Sequence, residues 1–258
     1  MPQWTVISKK HHEKAHYLPR QGYLHTARQL VAPILLAELP KLVQHYVLGF
    51  ITHGEKYQPI ALLGLEKDRN LYLHSDNRWL GDYVPASLRG YPFSLAPNQD
   101  GQLALCIDAD YLTDDPNEGE PLFTQDGHPS EHVAKMIEFH QECETNRQRT
   151  QAAVDALQKT DPIEPWPLEI SRGEGIDPLQ VSGFYRVSEK ALNALETDVY
   201  SGLRGAPMVL AHGQLFSTHQ IAQLTERARF HSQQEETPAA TDDVDIGKIF
   251  GEDDIFKF

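Results

Sequence analysis

Cysteine is nearly absent. Of 258 residues only Cys106 and Cys143 carry thiols, far apart and without C-x-x-C spacing, which argues against a disulfide framework and against the zinc and redox sites built on paired cysteines. Cations are scarce too: 23 Lys and Arg face 37 Asp and Glu, a formal charge of -14. Nucleic-acid affinity rests on neutralising phosphates with Lys and Arg, so no nucleic-acid partner is expected, and an anionic membrane surface is disfavoured for the same reason. Long apolar runs are also missing. No window approaches the roughly 20 apolar residues of a membrane span, and the opening "MPQWTVISKKHHEKAH" has no signal-peptide core, so the expected compartment is the cytoplasm.

Signatures of catalysis are equally thin. There is no G-x-S-x-G elbow, no phosphate-cradling G-x-x-x-x-G-K-[ST] and no G-x-G-x-x-G after a strand. "HEKAH", His12 to His16, satisfies H-E-x-x-H in form. It sits in a polar stretch beside Lys9, Lys10 and Lys14, and Pro19 and Gly22 stand where the extended zinc motif needs Gly and His, so it reads as a solvated histidine-rich arm. Asp108 and Asp110, two apart on a strand, share a face. No partner acid or base accompanies them, so they read as strand-end solvation. His212, Ser217 and His219 imitate part of a hydrolase set, but Ser217 or Thr218 is better explained as a helix N-cap. No catalytic residue, metal or cofactor is implied.

What is present is an even spread of apolar residues, 40% of the chain, enough for a substantial core. Residues 1–25 read as a polar arm with one short strand at Trp4 to Ile7. "TARQLVAPILLAELPKLVQHYVLGF" fits a helix broken near Pro33 and Pro40, then a strand from about Tyr46 to Thr52. "QPIALLGLE", "LYLHS" and "GQLALCIDAD" follow as strands. Ser130 precedes the longest helical pattern, in which Val133, Met136, Ile137, Val154 and Leu157 recur at helical spacing. "PLEIS" and "PLQVSGFYRVS" read as strands, "EKALNALETDVYSGLRG" as short helices, "APMVLAHGQLFST" as strand-like and "HQIAQLTERARF" as a helix. Strands and helices do not alternate in β-α units, so the expectation is α+β, a mixed, mainly antiparallel sheet packed with helices. The main domain is expected over 26–232.

From Gln233 the composition changes. Between Glu235 and Phe258 stand eight acids and two lysines, interleaved near the end with Ile249, Phe250, Asp253, Asp254, Ile255, Phe256 and Phe258. Such a segment lacks the apolar surface to offset its own ordering entropy and suits folding upon a partner. It is expected to be a disordered, partner-binding tail.

The densest pattern is "NRWLGDYVPASLRGYPFSL", residues 77–95. As a binding site, Trp79, Tyr83 and Tyr91 would stack a planar group while Arg78 or Arg89 met an anion. As structure, Trp79 and Phe93 would fill the core, Pro85 would open a short helix and Arg89 would sit at its end.

The same stretch, with "PIALLGL", "LCIDAD", "GEPLFTQDGHPS", "VSGFYRVSEKALNALE" and "APMVLAHGQLFSTHQIAQL", resembles the SapC family in order and spacing over about residues 20–230. Gly90 departs from the family pattern, which usually has a second arginine before the Tyr-Pro-Phe. The resemblance implies a bacterial, surface-layer-related protein with no established catalytic residues. It also implies encoded neighbours among outer-membrane receptors, tryptophan-halogenase-like flavoproteins and cupin-like proteins. The resulting expectation is a non-catalytic accessory protein that engages a protein partner through its tail. The alternative is an enzyme or small-molecule binder with a pocket around Arg78, Trp79, Tyr83, Arg89 and Tyr91.

Overall fold

The computed structural model describes residues 2–97, 101–170, 179–234 and 244–245. It is an α+β protein with several antiparallel sheets packed against helices. Two compact units divide the chain: the described parts of Met1–Gly22 with Ala86–Thr145, and of Tyr23–Pro85 with Asn146–Ile255.

The first unit holds two three-stranded sheets. In one, Leu103–Asp108 lies between Trp4–Val6 and Phe93–Pro97, antiparallel to both. In the other, His16–Tyr17 lies between Leu112–Thr113 and Glu120–Pro121. The start of the chain is thus woven into both sheets, because Tyr17 and Ala15 join Phe93, Leu95, Leu105, Ile107, Leu122 and Val133 in one buried cluster. Burying a tyrosine needs a partner for its hydroxyl; Tyr17 Oη donates to Glu120 Oε2 at 2.6 Å.

The second unit is built on a five-stranded antiparallel sheet in the order Ile163–Pro165, Tyr185–Val187, Leu48–His53, Lys56–Leu62, Val31–Pro33. The central hairpin turns through Gly54 and Glu55, and Gly54 has φ of +59°, the left-handed backbone that a two-residue hairpin loop requires. A smaller sheet pairs Leu168–Ile170 antiparallel with Leu179–Ser182, whose other side takes Val244–Asp245 in parallel.

Three expectations fail here. "APMVLAHGQLFST" is a helix, Ala206–Ser217, not a strand. Its Gln214 and Ser217 face inward and bond the backbone of the central sheet: Gln214 Oε1 accepts from Val187 N at 2.9 Å, Gln214 Nε2 donates to Leu48 O at 3.1 Å, and Ser217 Oγ accepts from Leu48 N at 3.0 Å. Tertiary contact to polar side chains therefore decides a segment whose apolar run is ambiguous by periodicity alone. The supposed broken helix after Thr26 resolves into the strand Val31–Pro33, a 3-10 turn at Leu36–Glu38 and the single helical turn Leu39–Leu42. "LYLHS" makes no strand, only one bridge from Leu73 to Trp79.

The longest helix is borne out as Glu131–Gln158. Val133, Val154 and Leu157 are buried, and Met136 and Ile137 pack against the first unit's core. The helix begins in the first unit and ends in the second. Ser130 stands before it, yet its hydroxyl has no hydrogen bond among the described residues.

Candidate functional site

Residues 77–95 divide between the two units. In the second unit a turn at His74 to Asn77, with Asn77 at φ +68°, delivers Trp79 onto a group of tyrosines. Trp79 stacks on Tyr72 with centroids 5.7 Å apart, Tyr72 stacks on Tyr46 at 4.6 Å, and Tyr23 meets Trp79 edge-on at 5.5 Å. Polar ends are linked in series. Trp79 Nε1 donates to Tyr46 Oη at 2.9 Å, Tyr46 Oη donates to the Tyr83 carbonyl, Tyr83 Oη donates to Glu38 Oε1 at 2.9 Å, and Glu38 Oε2 accepts from Leu35 N at 3.1 Å. Glu38 is buried, and such a carboxylate is stable inside only when its oxygens are satisfied.

Arg227, on the helix Ile221–Gln234, completes the group. Its guanidinium carbon lies 4.4 Å from the Tyr72 ring centre, a cation–π contact, and Nη2 donates to Leu80 O at 3.3 Å. Tyr72 Oη donates to His45 O at 2.8 Å. Burial is the main cause that pushes the Tyr46 and Tyr72 hydroxyls well above their ordinary ionisation range, so both act as neutral donors at physiological pH.

In the first unit Tyr91 belongs to a different group. Its hydroxyl donates to Asp108 Oδ2 at 2.5 Å, and its ring meets Trp4 at 6.4 Å and Tyr111 at 5.1 Å, both edge-on. Asp108 is 2% exposed, and its Oδ1 accepts from Gln3 N at 3.1 Å and Asp110 N at 3.5 Å. Against the expectation of strand-end solvation, Asp108 is therefore a buried acceptor that binds Gln3, Tyr91 and Asp110, and it is not half of a paired-carboxylate site either. Burial, then the hydrogen bond and charge of Asp108, push the Tyr91 hydroxyl upward.

The two arginines of the stretch differ. Arg78 Nε meets Asp76 Oδ2 at 3.0 Å with its side chain 69% exposed, a surface pair of small energetic weight. Arg89 ends the short helix Ala86–Arg89 and lies over the Phe139 ring at 5.3 Å. Beside it, Gly90 faces the buried ring of His140; a Cβ there would lie 2.3 Å from His140 Cε1 and 2.5 Å from Nε2. The ring occupies the space that any side chain at position 90 would need.

Trp79 and Tyr83 thus come together, in company with Tyr46, Tyr72, Glu38 and Arg227. Arg89 and Tyr91 sit in the first unit with other neighbours. The sequence pattern missed the three buried partners and Arg227, since each lies in a segment whose apolar periodicity explains it without a site. Of the H-E-x-x-H match, His12 ends the helical turn Lys9–His12 and its Nδ1 accepts from Ser8 N at 3.2 Å, while His16 opens a strand. The two histidines therefore do not share one helical face. Ser217 is buried at the end of its helix and donates to Gln214 O at 2.6 Å, so it is neither an N-cap of the kind expected nor placed as a nucleophile. Among the described residues no group of three or more His, Cys, Asp or Glu is arranged to hold a metal ion, and no helix is long and apolar enough to cross a membrane. Ile249, Phe250, Asp253, Asp254, Ile255, Phe256 and Phe258 lie outside the described residues.

Compared with known proteins, residues 7–224 match a family model described as SapC, which is most of the chain. No curated protein and no solved structure matches.

Proposed function

The chain belongs to the SapC family, and from that premise we propose that it is an accessory binding protein that engages a protein partner through the acidic, aromatic segment after Asp245. The observation that carries this reading is the attachment of Val244–Asp245 to the edge of the strand Leu179–Ser182. This short parallel pairing joins the root of the segment to the folded body. Those residues, "IGKIFGEDDIFKF", combine apolar anchors with acids and lie outside the family match. Ile249, Phe250, Ile255, Phe256 and Phe258 would supply the buried contacts, and Asp253 and Asp254 would set the charge preference toward a basic groove.

The test is affinity capture from cells producing the full chain or a chain ended after Asp245, which keeps the parallel strand. A partner lost on truncation and recaptured by residues 244–258 on an unrelated carrier supports the reading. Identical partner sets for the two chains refute it.

A second reading, a small-molecule site at Trp79 and Tyr83 within the second unit, without Arg89 and Tyr91, is favoured by one observation. Trp79 and Tyr83 belong to a linked aromatic and polar group rather than to a purely apolar core. Ligand-dependent thermal stabilisation that disappears in Trp79→Phe but not in a tail truncation would move the function to this group.

A further inference from the structure

We propose that the cavity bounded by Leu71, Leu80, Gln223, Glu226, Arg227 and Phe230, about 290 Å³ in volume, is a binding site for a small organic monocarboxylate with a compact apolar body. Arg227 receives the carboxylate. The site adjoins the aromatic group of Trp79.

The argument begins with the arginine. A guanidinium carries five N–H donors and no acceptor. Arg227 uses one nitrogen on Leu80 O and rests on the Tyr72 ring, while its Nε is buried with no acceptor among the described residues. No described carboxylate pairs with it. Glu226, its neighbour in sequence, is committed to Arg229 at 2.6 Å. A cation held on two sides and left without an anion is already ordered for one, so little conformational freedom is lost when a ligand arrives.

The walls specify the rest of the ligand. Leu71, Leu80 and Phe230 are apolar, and Gln223 adds a neutral polar group. Arg227 and Glu226 are the charged residues of the lining, and with Glu226 paired to Arg229 the arginine is left as the charge that can orient a ligand among largely apolar walls. The volume lies at the small end of the range for ligand pockets, roughly 300 Å³, which fits a ring or short chain of a few carbons. Glu226, also in the lining, opposes a second negative charge, so a monocarboxylate suits the site better than a phosphate. Of the lining, Glu226, Arg227 and Phe230 lie beyond the family match, which ends at residue 224.

The experiment titrates the full-length ¹⁵N-labelled chain with benzoate, benzyl alcohol and inorganic phosphate, following the indole N–H signals of its three tryptophans. Trp79 stacks on Tyr72, the ring under Arg227, so its signal should move while those of Trp4 and Trp166 stay. Benzoate should bind about 10- to 100-fold more tightly than benzyl alcohol, the range of one charge-assisted hydrogen bond or pair. Arg227→Met should remove that preference, Arg227→Lys should keep part of it, and Phe230→Ala should weaken both aromatic probes alike. Equal binding of benzoate and benzyl alcohol, no binding of either, or an unchanged preference in Arg227→Met overturns the proposal. Phosphate competing as well as benzoate overturns its apolar half. If Arg227→Met does not fold, the comparison of probes on the unaltered chain and Phe230→Ala, at an exposed position, still decide.

Discussion

Gly90→Ala adds a single methyl group, and two opposing effects determine what it does to stability. Alanine restricts the unfolded chain, which by itself stabilises by about 0.4–1 kcal/mol. Against this, the new Cβ would lie 2.3 and 2.5 Å from two ring atoms of His140, inside any permitted contact, and His140 is 3% exposed so its ring cannot swing into water without opening the core. Forcing an extra carbon into a packed site costs about 1–3 kcal/mol. The clash outweighs the entropy, and a net loss of about 1–2 kcal/mol follows. For a chain of this size each kcal/mol lowers Tm by roughly 2–4 °C, so calorimetry should register a fall of about 2–8 °C. The contact itself is isolated by the double-mutant cycle with His140→Ala. Once the ring is gone the added methyl should be tolerated, with a coupling energy of about 1 kcal/mol or more. If Gly90→Ala leaves Tm unchanged or raises it, or if the two substitutions are additive, the ring does not constrain position 90.

Further outcomes follow from other buried contacts of the fold. Gln214→Leu deprives Val187 N of its acceptor and Leu48 O of its donor; two buried backbone groups at about 1–3 kcal/mol each should lower stability by about 2–6 kcal/mol and abolish amide-exchange protection at Val187. Phe216→Ala, two residues on but 67% exposed, should change it by less than about 0.5 kcal/mol. The alkaline limb of stability should be set by tyrosines: Tyr17, Tyr46, Tyr72 and Tyr91 are held above their ordinary range, first by burial, with Glu120 adding at Tyr17 and Asp108 at Tyr91. Below the unfolded value of about pH 10 both states keep these protons and the contribution is complete. Above it the unfolded chain releases protons that the fold retains, so urea midpoints should fall as pH rises beyond 10. Tyr46→Phe should flatten part of that fall while costing about 1–3 kcal/mol at neutral pH, since Trp79 Nε1 and Tyr83 O each lose a partner.

The central strands and the longest helix were legible because local chemistry decides them. The apolar runs from Tyr46 to Thr52 and in "QPIALLGLE" mark the strands Leu48–His53 and Lys56–Leu62, and the recurrence of Val133, Val154 and Leu157 at helical spacing identifies the longest helix. The segment from Ala206 to Ser217 was not legible. Its apolar run satisfies a strand or a helix, and the choice falls to Gln214 and Ser217 once their side chains find the backbone of Leu48 and Val187.

The candidate site divides in the same way. Order and spacing of motifs established the family, and composition established the scarcity of cations and thiols, because both are properties of the chain as written. Only the tertiary structure separated Trp79 and Tyr83 from Arg89 and Tyr91, since residues a few positions apart belong to units whose cores are completed by distant segments. It also brought Tyr46, Tyr72 and Arg227 together from positions far apart in sequence. Burial then made that assembly matter: a buried hydroxyl or guanidinium must find its partners wherever the fold supplies them, and nothing in the local sequence of any one of them names the others.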